Sequence, residues 1–121
     1  MKTILLVDDS TLIQWVLKTA LEGASYKVEM AGDGVEAMAK LTSGLKPDLI
    51  ITDLNMPNMN GIELIRKARA LLRFTPIIVL TTESQGAKRD EAKQLGATGW
   101  LTKPVEPADL LKIIQRVMPG L

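Results

Sequence analysis

The residues able to do chemistry in this chain are mostly carboxylates, each placed directly after an apolar run. Asp8 and Asp9 follow Ile4-Leu5-Leu6-Val7, and Asp53 follows Leu49-Ile50-Ile51-Thr52. Thr81 ends Ile77-Ile78-Val79-Leu80, and Lys103 comes straight after Gly99-Trp100-Leu101-Thr102. Carboxylates brought to one place repel, by roughly 4 kcal/mol for a pair about 4 Å apart at an effective dielectric near 20, unless a cation joins them. All-oxygen ligands suit Mg²⁺, which typically takes one or two carboxylates, waters and phosphate oxygens. Lys103 adds a second positive charge suited to a phosphoryl group. A carboxylate can itself be a nucleophile and carry an aspartyl-phosphate, and Asp53, which ends the central buried strand and would face Asp8, Asp9 and Lys103, suits that part best. Taken singly, each Asp reads as a helix cap or turn former, and Lys103 as a solvated loop residue. The set argues for more, because separate segments deliver complementary groups.

Composition narrows the alternatives. The chain has 121 residues, 15 basic against 14 acidic, and neither cysteine nor histidine. One domain is the natural expectation, spanning 1–121. Disulfides, thiolate chemistry, imidazole bases and His-ligated zinc are excluded. A net charge of +1 gives no basis for nucleic-acid binding by charge alone. The apolar runs fall far short of the ~20 residues that span a membrane, and the four residues Ile4 to Val7 are too few for a signal-peptide core. A cytoplasmic protein with no membrane insertion is expected.

The elements that must position these residues alternate. After the run from Ile4, the residues Leu12, Ile13, Val16, Leu17, Ala20 and Leu21 recur at helical spacing, with Ser10 or Thr11 as N-cap and Gly23 as stop. Lys27 to Ala31 alternates like an edge strand, and Gly32-Asp33-Gly34 is a turn. Val35, Met38, Ala39 and Leu41 predict a second helix ending near Gly44. A loop dense in turn formers, Asn55 to Gly61, separates Asp53 from a third helix carrying Ile62, Leu64, Ile65, Ala68, Leu71 and Leu72. A fourth, mostly polar helix spans about Gly86 to Leu95, with Ala87, Ala92 and Leu95 on its apolar side. A last amphipathic helix carries Leu110, Leu111, Ile114, Val117 and Met118 and is closed by Pro119-Gly120. Strands alternating with helices imply an α/β fold with a parallel sheet covered on both faces. In such sheets ligands bind at the carboxyl ends of the strands, where Asp8, Asp9, Asp53, Thr81 and Lys103 all fall.

These segments resemble the receiver domains of two-component response regulators, most closely the stand-alone chemotaxis type. The resemblance is carried by Leu5-Leu6-Val7-Asp8-Asp9-Ser10, Asp33-Gly34-Val35-Glu36-Ala37, Asp48-Leu49-Ile50-Ile51-Thr52-Asp53, Met56-Pro57-Asn58-Met59-Asn60-Gly61, Thr81-Thr82 and Lys103-Pro104. It implies a flavodoxin-like, doubly wound (βα)5 fold with strand order 2-1-3-4-5. It implies that Asp53 accepts a phosphoryl group from a histidine kinase. Mg²⁺ would be held by Asp9, Asp53 and the Asn55 carbonyl, with Asp8 acting through water. Lys103 would contact the phosphoryl oxygens, Thr81 would be the switch hydroxyl and Trp100 the switch aromatic. Asn55 and Glu83 would influence acyl-phosphate lifetime, and the Lys103-Pro104 peptide would be cis. The output would be a changed affinity for a partner protein through helix four, strand five and helix five, in chemotaxis or motility control, with a flagellar motor switch protein as one candidate partner. Lys88, Arg89, Lys93, Lys112 and Arg116 supply charge to that surface, and Trp15 lies off the first helix's apolar stripe.

Two departures stand out. Asn60 replaces a common Asp, and Trp100 replaces a smaller aromatic, commonly Tyr or Phe. Two other readings fit the residues less well. An aspartate-nucleophile phosphatase of the dehalogenase type needs Asp-x-Asp-x-Thr after the first strand, where this chain has Asp8-Asp9-Ser10-Thr11. A nucleotide- or flavin-binding module needs a phosphate-binding glycine loop, and no G-x-G-x-x-G or P-loop is present.

Overall fold

The computed structural model describes residues 1–118. The side chain of Glu83 and the closure expected at Pro119-Gly120 lie outside the described residues. The elements run β1 (Thr3–Val7), α1 (Thr11–Gly23), β2 (Lys27–Ala31), α2 (Gly34–Thr42), β3 (Leu49–Asp53), α3 (Gly61–Leu71), β4 (Ile77–Thr81), α4 (Gly86–Gln94), β5 (Gly99–Thr102) and α5 (Pro107–Val117), with a 3-10 turn at Glu83–Gln85. All strand pairs are parallel and the order is β2-β1-β3-β4-β5. This is the flavodoxin-like arrangement expected, with the edge-like β2 at an edge.

Side-chain alternation along the strands divides the core in two. Leu5, Val7, Ile50, Ile77 and Val79 face α2, α3 and α4, where they meet Ala37, Leu41, Ile65, Ala68 and Ala92. Ile4, Leu6, Leu49, Ile51, Ile78 and Leu80 face α1 and α5, meeting Leu17, Leu21, Leu110 and Ile114. Each fully buried aliphatic side chain of this kind contributes about 1.5–3 kcal/mol, so two faces of such residues fix the strand register firmly. The period-two row on the α1/α5 side, continued past the apolar residues, reaches Asp8 after Ile4 and Leu6. It reaches Asp53 after Leu49 and Ile51, and Lys103 after Leu101. The alternation that builds the core therefore also delivers the charged groups to one side of the sheet's carboxyl edge.

The helix starts are locally encoded. Ser10 accepts from the Ile13 N–H, Asp33 from Glu36 and Asn60 from Glu63, each satisfying an otherwise orphan donor. Asn60 thus serves as the cap of α3, which a neutral amide does as well as a carboxylate. Gly44 and Gly96 end α2 and α4 with φ of +114° and +112°, a left-handed backbone that glycine adopts without steric cost.

Parts of the helical patterning need correction. Leu12 is 68% exposed and Val16 37%, so the inward stripe of α1 runs through Ile13, Leu17 and Leu21 instead. Leu12 and Val16 border a shallow apolar groove shared with Pro104 and Val105. Ala87 is not part of the core, and α4 buries only Ala92 with Leu95 partly covered. Val35 and Leu71 are exposed on α2 and α3. Trp15 is exposed, as its place off the stripe predicts.

Candidate functional site

Asp8, Asp9 and Asp53 converge at the carboxyl edge of β1 and β3, with one carboxylate oxygen from each lying within 4.8 Å of the others. Asp8 and Asp53 are buried and Asp9 is exposed. Lys103 comes from beyond β5 and must cross β4 to reach them. Two strand spacings are about 10 Å, so only a long side chain closes the gap. Its ammonium donates to Asp53 Oδ2 at 2.8 Å and lies 3.6 Å from Asp8 Oδ2. The Lys103-Pro104 peptide is cis, as the resemblance implies.

The two buried carboxylates are each held by the loop that follows them. Asp8 Oδ1 accepts the Ser10 N–H at 2.9 Å, and Asp53 Oδ1 accepts the Asn55 N–H at 3.3 Å. Asp8 Oδ2 is buried without a hydrogen-bond partner. Burial raises the Asp8 pKa. The Ser10 N–H and the Lys103 charge oppose that rise, while Asp53 and Asp9 add to it. Burial alone would lower the Lys103 pKa, but its hydrogen bond to Asp53 and the charges of Asp53 and Asp8 outweigh it, and the net shift is upward. The lysine therefore stays protonated across the neutral range.

An oxygen-only donor set containing an orphaned buried carboxylate oxygen fits a hard divalent cation. The same observation predicts a stability effect. Leaving a buried acceptor unpaired costs about 1–3 kcal/mol, so Asp8→Asn should stabilise the metal-free protein by about 1 kcal/mol, or roughly 3–6 °C in melting temperature. Asp8's folded pKa lies above its ordinary 3.8. Its stabilising contribution is therefore complete below that value and is lost as pH rises through the folded pKa. The variant's advantage should grow across that interval and then level off. Melting curves of both proteins in chelator at several pH values check this, and an advantage for the parent at neutral pH would refute it.

The other expected residues fall around this centre. Thr81 is buried at the end of β4. Asn55 has an exposed side chain in the loop after β3. Trp100 is 39% exposed on β5 and is flanked by two cations of α4, Arg89 at 5.2 Å and Lys93 at 5.5 Å from the ring centre. Contacts of this kind are worth about 0.5–1 kcal/mol each at exposed sites. Arg69 fastens the C-terminal end of α4. Its guanidinium donates to the Gly96 carbonyl at 2.7 Å and to those of Leu72 and Thr75.

Sequence reasoning missed several supporting residues. Asp33 is a helix cap that also accepts from Asn58 Nδ2 at 2.7 Å, tying the β2–α2 turn to the loop after Asp53. Those two N–H donors, with Glu36 N–H first, hold the Asp33 pKa below its ordinary value. Glu36 three residues on was the available cap signal. Gly61, read only as a turn former, packs against the Asp53–Leu54 backbone. Gln14 carried no sequence signal.

The family model of the response regulator receiver domain matches residues 4–115. The chain belongs to the response regulator receiver domain family. Chemotaxis protein CheY1 of Helicobacter pylori is 38% identical over 118 residues, 95% of each chain. The solved structure of the chemotaxis response regulator CheY4 of Vibrio cholerae is 47% identical, covers 97% of this chain and 98% of its own, and superposes with a TM-score of 0.89. The receiver domain of a sensor histidine kinase from Pseudomonas aeruginosa, solved with a magnesium ion coordinated in its active-site cleft, is 31% identical with a TM-score of 0.86 over 98% of each chain. Receiver domains bind Mg²⁺ at an acidic pocket, and Asp8, Asp9 and Asp53 make such a pocket here. They take phosphoryl groups from histidine kinases and act on downstream targets. With this assignment the receiver domain is a signalling module of a two-component system, and the phosphatase and nucleotide-binding readings fall away. Among the described residues no helix is long and apolar enough to cross a membrane.

Proposed function

We propose that this receiver domain is a phosphorylation switch whose acceptor is Asp53. The observation that carries the reading is the contact of the Lys103 ammonium with Asp53 Oδ2 beside two further carboxylates, one of them orphaned. An Asp53 oxygen attacks the phosphorus of a phosphohistidine on the partner kinase. The P–N bond breaks, the imidazole leaves with a proton taken from solvent, and an acyl phosphate remains. Bound Mg²⁺, held by Asp9, Asp53 and the Asn55 carbonyl with Asp8 behind a water, would supply charge neutralisation for the transferring group. Lys103 is already protonated at the acceptor and moves its hydrogen bond to a phosphoryl oxygen without waiting for a proton.

The phosphoryl group carries about 1.5 to 2 negative charges and replaces the single charge of the Asp53 carboxylate, so the site gains about 0.5 to 1 negative charge and three acceptor oxygens. Thr81, at the end of the neighbouring strand, donates its hydroxyl to the new oxygens and so favours a second arrangement of β4, α4 and β5. Asn55 and Glu83 tune the lifetime of the acyl phosphate. Trp100, next along the sheet, reports the change to the α4-β5-α5 face by leaving or keeping its place between Arg89 and Lys93. A weakly buried α4 is suited to such movement. The names of the relatives favour an output in chemotaxis, through a protein target such as a flagellar motor switch protein, with action in the cytoplasm.

Incubation with acetyl phosphate and Mg²⁺ tests the acceptor. The parent should form an acid-stable, base-labile adduct seen by intact mass, and Asp53→Asn should form none. Equal labelling of the variant would overturn the assignment. Release of inorganic phosphate from many unrelated esters would instead favour an enzyme.

A further inference from the structure

Gln14 lies on the first turns of α1, and its side-chain amide reaches back over the acidic turn. Nε2 donates to the Asp8 carbonyl at 2.5 Å and to the Ala31 carbonyl at 3.2 Å. Ala31 O also accepts the Asp8 N–H at 3.1 Å. Both neighbours of the amide are carbonyls, so only its NH₂ edge can face them, and its orientation is settled by chemistry. Asp8 is thereby held at three points. Its N–H is bound to the end of β2, its carbonyl to Gln14, and its Oδ1 to the Ser10 N–H.

The peptide joining Asp8 to Asp9 is planar and rotates as one unit. The carbonyl that Gln14 grips is at one end of that plane, and the Asp9 N–H and Cα are at the other. Fixing the carbonyl fixes where the exposed Asp9 side chain begins. Without that grip the peptide could turn, and repulsion among Asp8, Asp9 and Asp53 would drive Asp9 outward. We propose that Gln14 is a positioning residue for the divalent-cation site: its amide holds the Asp8–Asp9 peptide in the plane from which both carboxylates face Asp53. This rests on the Mg²⁺ reading of the acidic cluster.

The test uses the whole chain and Mg²⁺ alone, titrated while the amide resonances of Asp9 and Asn55 are followed by NMR. Gln14→Met keeps the side chain's length and removes its donors. Losses of residues that orient ligands typically cost 10–100-fold in metal affinity, and a backbone grip should lie at the low end. Gln14→Met should therefore raise the Mg²⁺ dissociation constant about 10-fold. At saturating Mg²⁺ its yield of acetyl-phosphate adduct should return to the parent's level. A purely structural staple would lower the melting temperature in chelator and leave the dissociation constant alone. Gln14→Asn keeps the amide but loses one methylene of reach, should weaken Mg²⁺ in the same direction, and carries the test if Gln14→Met does not fold. A dissociation constant within about twofold of the parent's in the folded variant would overturn the proposal. A parent that shows no Mg²⁺-dependent shifts would remove the metal reading itself, a distinct failure visible before any variant is made.

Discussion

Lys103→Met is expected to lower the rate of phosphorylation by acetyl phosphate about 10²–10³-fold at saturating Mg²⁺, while Mg²⁺ still binds. Lys103 supplies the positive charge in direct contact with Asp53, at 2.8 Å, and it also lies 3.6 Å from Asp8. Its removal takes a preorganised donor away from the position where charge develops on the transferring group. It also leaves the three carboxylates facing one another. At about 4 Å each uncompensated pair repels by roughly 4 kcal/mol at an effective dielectric near 20. Asp9 is exposed and solvent relieves part of that strain, so a net loss of about 1–3 kcal/mol of stability in chelator is expected. Added Mg²⁺ should then raise the variant's melting temperature by more than the parent's, because the ion takes over the neutralisation.

The pH dependence of Lys103 has a definite sign. Its folded pKa is above the ordinary 10.5, so its contribution is complete below that value and is lost only as pH rises through the higher folded pKa. Near neutral pH the parent keeps all of it. Lys103→Arg retains charge, but the planar guanidinium is wider than an ammonium and cannot occupy the same point between Asp53 and Asp8. Rates measured for the three proteins over an Mg²⁺ series separate these effects. A Lys103→Met rate within about tenfold of the parent would show that the ammonium does not act on the transferring group.

What could be read ahead of the structure follows from which signals are periodic. Four of the five strand runs are short, largely apolar and ended by a polar residue, and β2 shows the alternation of an edge strand, so the number of strands and the charged groups at their ends were legible. Even the convergence of Asp8, Asp53 and Lys103 on one side follows from counting in twos. Helix faces were less legible. Apolar residues at 12, 13, 16, 17, 20 and 21 cover a wider arc than one sheet can bury, and periodicity does not say which edge of the arc turns inward. Leu12 and Val16 fell on the outer edge. Ala87 misled because an alanine carries little preference for burial in a polar helix. Gln14 and the Asp33–Asn58 link depend on which loops meet across the sheet, and nothing local to either residue encodes that.

Gly61 gives the largest expected effect on the scaffold itself. It opens α3 immediately after the loop from Asp53, and its N–H donates to the Leu54 carbonyl at 2.9 Å. A Cβ there would overlap the Asp53 carbonyl oxygen and lie 2.8 Å from Leu54 Cα. Both are backbone atoms, so no rotamer change relieves the overlap. Either α3 moves off the sheet or the end of β3 shifts with Asp53 on it. Overpacking that rotamers can absorb costs about 1–3 kcal/mol; Gly61→Ala should reach the top of that range or exceed it, a fall of about 10 °C or more in melting temperature. A displacement of about 1 Å at a reacting group can cost about 10²-fold in rate, so phosphorylation should drop in the fraction that remains folded. Gly23→Ala is the matching control. Gly23 ends α1, and a methyl group added to it would meet nothing within 4 Å. An alanine there should be neutral or stabilising by up to about 1 kcal/mol. The two substitutions add the same methyl group to the same kind of residue. If both melt within a few degrees of the parent, the close approach of α3 to the Asp53 backbone does not hold the acceptor in place, and the rigidity of the site must come from Lys103 and the acidic turn alone.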